Sequence, residues 1–326
     1  MVDPSAYAWK HEFTRPRREE LVVYEMHVAG YAGKDDVGAG TFEAVTARLD
    51  HLADLGVNAI ELMPVNHFPS RGWGYNPQGY FAPNPLYGTP DELRRLVDEA
   101  HGRGIAVLLD VVYNHYDSWP GAPLYCFDGE CPGSAGLYFF PAGDWAQTPW
   151  GPRPNYASPE VARFILDSVT LCLGEYRVDG FRWDSTSNIR ANDGNGDAPG
   201  GKALLQQATA LTRAFGALSI AEDLKGWDYL TRPADQDGFG FDTQWDAFNY
   251  RINDQLVAAN DAARDVDVVA NALRGTYNGD PFQRVIYTDN HDVDGNGSVR
   301  LPQKIDPKDP GAGRRASGAC WAPPWS

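Results

Sequence analysis

At 326 residues the chain is long enough for one large α/β domain or two ordinary ones. Its net charge of −16 argues against a nucleic-acid or anionic-membrane partner, since both require a basic face. The N-terminus has no basic-then-apolar leader and no apolar run is long enough to cross a bilayer, so a cytoplasmic protein without a membrane partner is expected.

Residues 1–18 are polar and contain prolines, and they read as a linker-like lead-in. Leu21–Val28 has the composition of a first strand. Thr41 can cap a helix running to about Leu55, because Phe42, Val45, Leu49, Leu52 and Leu55 recur at helical spacing. Gly56 ends that helix, and Val57–Leu62 forms the second strand. A loop from Pro64 to Pro90 is rich in Gly, Pro, Asn and aromatics. The next helix opens at Pro90 and Asp91 and runs to Arg103, with Gly104 closing it.

Ile105–Val111 is apolar almost throughout, as strands buried on both faces are. Residues 113–158 form an excursion too long for an ordinary connection, which marks it as functional. Pro159 starts a helix to Gly174, and Val178–Asp184 is the fourth strand. A Gly/Asp/Asn loop over 190–201 leads to a helix from Lys202 to Phe215. Leu218–Glu222 is the fifth strand and Phe239–Asp242 a weaker sixth. Helical stretches around 245–260 and 265–275 precede a seventh strand, Arg284–Asp289.

Alternation of strand and helix predicts a parallel sheet wrapped by helices. This many units favour a closed (β/α) barrel, and no glycine-rich phosphate loop follows the first strand. Four cysteines, Cys126, Cys131, Cys172 and Cys320, show no metal-ligand spacing; Cys126 and Cys131 are close enough in sequence to pair, with free thiols equally open. Aromatics make up 12% of the chain and include ten Trp, a composition that suits the flat faces of sugar rings as well as core packing.

Polar residues collect where successive strands end. Asn114 and His115 follow the third, Arg182 and Asp184 close the fourth, Glu222 and Asp223 close the fifth, and Asn290, His291 and Asp292 follow the seventh. In a (β/α) barrel those ends share the catalytic rim. A guanidinium beside a carboxylate favours the charged form, which a carboxylate nucleophile needs at neutral pH. From chemistry alone the cluster suits glycoside cleavage by an acid and a nucleophile, or a divalent-metal site.

Four stretches carry a resemblance: Asp110–His115, Gly180–Asp184, Ala221–Asp223 and Asp289–Asp292. In order, spacing and strand context they resemble the signatures of the α-amylase superfamily, glycoside hydrolase family 13. The resemblance implies a (β/α)8 TIM barrel over residues 19–310 and a retaining mechanism on α-glucosidic bonds. It implies Asp184 as nucleophile, Glu222 as general acid/base and Asp292 as the carboxylate that stabilises the transition state. It further implies Tyr75, His115, Arg182 and His291 as substrate-binding residues. Retention predicts that Asp184 and Glu222 stand roughly 5–5.5 Å apart, with the raised pKa on Glu222.

Asp110 is expected to order its loop by hydrogen bonds. Asp193–Asp197 is similar to the start of a calcium loop, but Leu204 stands where a closing carboxylate is needed, so no metal and no cofactor is expected. Within the family, Tyr24–His27, Glu61–Pro64 and Trp73–Tyr75 are closest in wording to 1,4-α-glucan branching enzymes and maltooligosyl-trehalose trehalohydrolases, branching being the first expectation. The partner is then an α-1,4-glucan such as glycogen, starch or a maltooligosaccharide. The barrel is expected to lack its eighth unit, and residues 311–326 form an atypical tail.

Overall fold

The computed structural model describes residues 7–32, 40–69, 72–119, 121–129, 135–191, 197–258, 261–295, 300–306 and 308. The calcium-like loop, Cys131, Cys320 and the tail beyond 310 lie outside these residues, save the two ends of the loop's flanks. The chain divides into two compact units, Met1–Asp223 with Trp227–Gln244, and Leu224–Gly226 with Trp245–Ser326.

In chain order the strands are β1 (Val23–Met26), β2 (Ala59–Leu62), β3 (Asn66–His67), β4 (Gly79–Pro83), β5 (Ala106–Val111), β6 (Gly180–Trp183), β7 (Leu218–Glu222) and β8 (Thr243–Trp245). A six-stranded sheet runs β1-β2-β5-β6-β7-β8. Its pairs from β1 to β7 are parallel, the order expected of a (β/α) barrel that is not closed. The first unit's helices are α1 (Val28–Ala32), α2 (Phe42–Thr46), α3 (Leu49–Asp54), α4 (Pro90–His101), α5 (Pro159–Gly174), α6 (Thr186–Arg190) and α7 (Gly201–Ala214).

The core follows from strand alternation. Ile60, Val107, Leu109, Phe181 and Trp183 are buried in one cluster with Leu93, Leu96 and Val97 of α4, Ile165 and Val169 of α5, and Leu204 and Leu205 of α7. Each such side chain stabilises the fold by about 1.5–3 kcal/mol relative to exposure. The alternate residues Glu61, Leu108, Asp110 and Arg182 belong to the other face of the sheet. Gly180 is required there, because a Cβ would lie 2.3 Å from the Leu218 carbonyl oxygen.

Helix starts match the sequence signals. Thr89 caps α4 in a reciprocal capping box with Glu92, and Ser158 caps α5 through the Val161 amide. Asp98 of α4 is buried and accepts from Tyr7 Oη at 3.2 Å, the Lys10 amide at 3.1 Å and the His11 amide at 3.0 Å. Phe13 stacks on His101 with centroids 4.3 Å apart. Residues 7–13 are therefore pinned along α4.

Three expectations for residues 41–245 change. The helix expected over 41–55 is two helices, α2 and α3, with Arg48 out of helical geometry between them. Thr46 Oγ1 donates back to the Phe42 carbonyl at 2.7 Å, a bond that competes with the helix ladder and bends it. The loop from 64 to 90 holds an antiparallel pair, β3 and β4, whose strands are too short to show periodicity. The sixth strand falls on β8, slightly after Phe239–Asp242, because Asp242 turns its carboxylate to the Ser219 amide and hydroxyl at 2.8 and 2.7 Å.

The second unit contains α8 (Phe248–Leu256), α9 (Val266–Arg274), α10 (His291–Gly295) and α11 (Leu301–Ile305). Phe248, Ile252 and Ala272 form its small core, with Val269 and Tyr287 against them. Buried Asp246 gathers Tyr277 Oη at 2.6 Å, Arg251 at 2.8 Å and Arg284 at 3.2 Å. Arg284–Asp289, expected as the seventh strand, forms no strand. Its apolar residues are not enclosed on two faces, Ile286 being 56% exposed. Side chains occupy its carbonyls in place of a ladder, as Asn253 Nδ2 does at Thr288 O, 2.8 Å.

Cys126 is disulfide-bonded and Cys172 is a buried free thiol. Among the described residues, no helix is long and apolar enough to cross a membrane, and no group of three or more His, Cys, Asp or Glu could hold a metal ion.

Candidate active site

β5 and β6 run side by side in a register that sets Asp110 opposite Arg182. Both are buried, and Arg182 Nη1 donates to Asp110 Oδ1 at 3.0 Å and Oδ2 at 2.9 Å. The same nitrogen donates to Asp184 Oδ1 at 2.7 Å, and Nη2 stands 3.8 Å from Glu222 Oε2. Although burial opposes the charged form, Asp110, Glu222 and Asp184 hold Arg182 protonated well beyond its ordinary range. The guanidinium thus links the exits of β5, β6 and β7.

Asp184 follows β6 directly, its amide donating to Val111 O at 3.0 Å. Asn114 Nδ2 donates to Asp184 Oδ2 at 2.5 Å, so both carboxylate oxygens have a donor and the carboxylate plane is fixed. The next residue, Ser185, adopts φ 42° and ψ 57°, the left-handed region that costs a non-glycine residue about 1 kcal/mol or more. This turn aims the Ser185 amide at Glu222 Oε2, 2.5 Å away. Thr186 Oγ1 donates to the Glu222 carbonyl at 2.9 Å. The loop after β6 therefore orients the carboxylate that ends β7.

His115 Nδ1 lies 2.5 Å from Asn114 Oδ1. Because the Asn114 amide nitrogen donates to Asp184, its oxygen accepts, which assigns the proton to His115 Nδ1. Burial lowers the His115 pKa, only partly offset by Asp184, so the ring is neutral. Tyr75 Oη donates to Asp110 Oδ2 at 2.6 Å, and a cleft of about 340 Å³ beside it is lined by Phe68, Trp73 and Asn76.

The structure thus brings together Tyr75, His115, Arg182, Asp184 and Glu222. Asp292 and His291 lie on α10 in the second unit, their side chains 3.5 Å apart. Asp110 orders the site by hydrogen bonds, in line with its expected role.

Family comparison agrees with the motifs. The family model for the α-amylase catalytic domain matches residues 26–119. A malto-oligosyltrehalose trehalohydrolase from Saccharolobus solfataricus is 32% identical over 92% of this chain and 55% of its own length. The chain thus carries an α-amylase catalytic-domain match and is similar to proteins of that family. A 1,4-alpha-glucan branching enzyme GlgB from Corynebacterium efficiens is 33% identical over 75% of this chain and 36% of its own. A crystal structure of a putative alpha amylase from Salmonella typhimurium superposes with a TM-score of 0.71 at 28% identity, covering 93% of this chain and 53% of that one. The chain spans about half the length, or less, of these relatives. Homologues within this α-amylase group are glycoside hydrolase family 13 enzymes.

Two features of the site were not legible in the sequence. Trp150 sits with its ring 5.7 Å from His115, about half exposed, in a turn where Thr148 Oγ1 accepts the Trp150 and Gly151 amides at 3.2 Å. The signal was the sequence Thr148–Gly151 inside the excursion, which nothing in its own pattern tied to His115. The other is the role of Asn114, a residue already placed at the rim by its strand exit, whose amide couples His115 to Asp184.

Proposed function

We propose that this protein cleaves α-glucosidic bonds of an α-glucan with retention, through a glycosyl-enzyme on Asp184. The single observation that carries the reading is the Arg182 guanidinium shared by Asp184 and, at longer range, Glu222. An oriented carboxylate beside a permanent cation suits nucleophilic attack on the anomeric carbon. Glu222 protonates the departing glycosidic oxygen and then takes a proton from the incoming hydroxyl. His115 and Tyr75 hold the sugar in this scheme, and Asp292 and His291 keep the roles that the family resemblance implies.

The acceptor is the finer question. Trehalohydrolases from Saccharolobus solfataricus and Rhizobium match 92% and 93% of this chain, whereas the branching enzymes from two Corynebacterium species match 75%. A third trehalohydrolase, from Arthrobacter ramosus, matches 75% at 35% identity, and the two longer spans are what favour water as acceptor and a maltooligosyl-trehalose-type substrate. Transfer to a 6-hydroxyl is the second reading, supported by the branching-enzyme relatives at 33% identity. Incubation with amylose and with a trehalose-capped maltooligosaccharide tests both. Free trehalose with rising reducing ends supports hydrolysis. Falling iodine colour at constant reducing ends selects transfer, and a folded chain inert on both substrates overturns the assignment to α-glucan.

A further inference from the structure

Beneath the catalytic rim lies a carboxyl group that the proposed reaction does not use. Parallel register sets Glu25 of β1 opposite Glu61 of β2, and Glu61 opposite Leu108 of β5. Asp110 and Arg182 stand two residues further along β5 and β6, one side-chain layer closer to the rim. Glu61 is completely buried, and neither of its carboxyl oxygens has a hydrogen-bond partner. Each neighbouring strand offers a charge: Glu25 on one side, Asp110 on the other, and Arg182 beyond it. The first two repel an ionised Glu61, and Arg182 is committed to Asp110 and Asp184.

We propose that Glu61 is a positioning residue that works as an un-ionised carboxylic acid, holding the layer below Arg182 neutral so that the guanidinium stays directed at Asp184. A negative charge there would compete for Arg182 from below and draw it away from the carboxylates at the rim. Burial, then Glu25, then Asp110 all move the Glu61 pKa well above the ordinary carboxylate value, against the weaker pull of Arg182. A folded pKa raised above the unfolded one gives stability that is full below the unfolded value and is lost as pH rises through the folded value. The contribution of Glu61 to stability is therefore lost as pH rises from about 4.5 through its raised folded value.

The activity part of this inference rests on the proposed function, but its stability part does not. Thermal unfolding of the intact chain would be followed from about pH 5 to pH 9 for the wild type, Glu61→Gln and Glu25→Gln. Glutamine is a neutral isostere, so Glu61→Gln should remove this alkaline loss of Tm. Glu25→Gln should reduce it by less, because it removes only one repelling charge. The ratio of kcat/KM at about pH 9 to that at about pH 6 should rise roughly threefold or more in Glu61→Gln over the wild type. Should Glu61→Gln fail to fold, Glu25→Gln and the pH-dependence of proton release on unfolding of the wild type still decide. A Tm profile of Glu61→Gln or Glu25→Gln that parallels the wild type overturns the proposal, as does wild-type unfolding that releases no proton between about pH 5 and pH 9. If the Tm arm succeeds and no variant or wild type acts on glucan, the proposed function falls while the neutral Glu61 stands.

Discussion

The exits of β5, β6 and β7 and the stretch Arg284–Asp292 carry equally recognisable motifs, yet only the first group stands on regular strands. At the first, each strand has hydrogen-bonded neighbours, and Asp110, Arg182 and Asp184 are fixed by them before any side-chain bond forms. At the second, the backbone is held by side chains: Tyr287 Oη on Asp246 O at 2.7 Å and Asn253 on Thr288 O. Sequence motifs record which residues the chemistry needs. A strand depends in addition on a neighbour able to complete its ladder.

Mutations at the two places should differ accordingly. Asp184→Asn should lower kcat by about 10⁴-fold, since no other carboxylate has its donors, with the fold retained. Glu222→Gln should cost about 10²–10⁴-fold. Both are read by steady-state assay on whichever of the two proposed substrates is turned over, with Tm checked in parallel. Equal rates in Asp184→Asn and wild type would remove the assignment of the nucleophile. Asp292→Asn, in the second unit, asks whether that motif takes part at all, and an unchanged kcat would say that it does not.

Next in size is Arg182→Met, which leaves Asp110 buried without its guanidinium. Loss of about 3–5 kcal/mol in denaturant unfolding is expected. Gly180→Ala should cost about 1–3 kcal/mol, because its methyl group meets the Leu218 carbonyl. Ile286→Ala, at a residue more than half exposed, should cost under about 1 kcal/mol. If Ile286→Ala were as costly as Gly180→Ala, the contrast between the two regions would be wrong.

The smallest effect concerns pH. His115 has a folded pKa below its unfolded one, so the unfolded chain binds the extra proton first. Stability should fall as pH drops below about 6.5. His115→Asn should reduce that fall, measured as the difference in Tm between roughly pH 7 and pH 5. An identical acid limb in the variant would mean that His115 is not the group responsible.

The legible parts of the fold are those fixed by local chemistry. Thr41, Pro90 and Pro159 announce their helices, because the Thr41 side-chain oxygen satisfies an amide within three residues and proline fits a first helical turn. β2, β5 and β7 announce themselves as apolar runs buried on both faces. The site residues at the exits of β5, β6 and β7 were legible for the same reason, their motifs being short and their strands strong. The β3–β4 pair, the break between α2 and α3 and the approach of Trp150 to His115 were not, since each depends on groups distant in sequence or on one side-chain bond. Glu61 was visible only as a letter in an apolar strand. Its neighbours Glu25 and Asp110 become neighbours only through the register of three strands.

The cradle that Asp98 makes for residues 7–13 bears on where a recombinant version of this protein can start. A chain begun at Leu21 removes Tyr7, Lys10 and His11 together, and Asp98, buried on α4, loses their three donors. An unsatisfied buried carboxylate costs about 1–3 kcal/mol or more, close to the core that β2 and β5 share with α4. The start of the barrel by strand count is Val23, but attachment to α4 begins, among the described residues, at Tyr7.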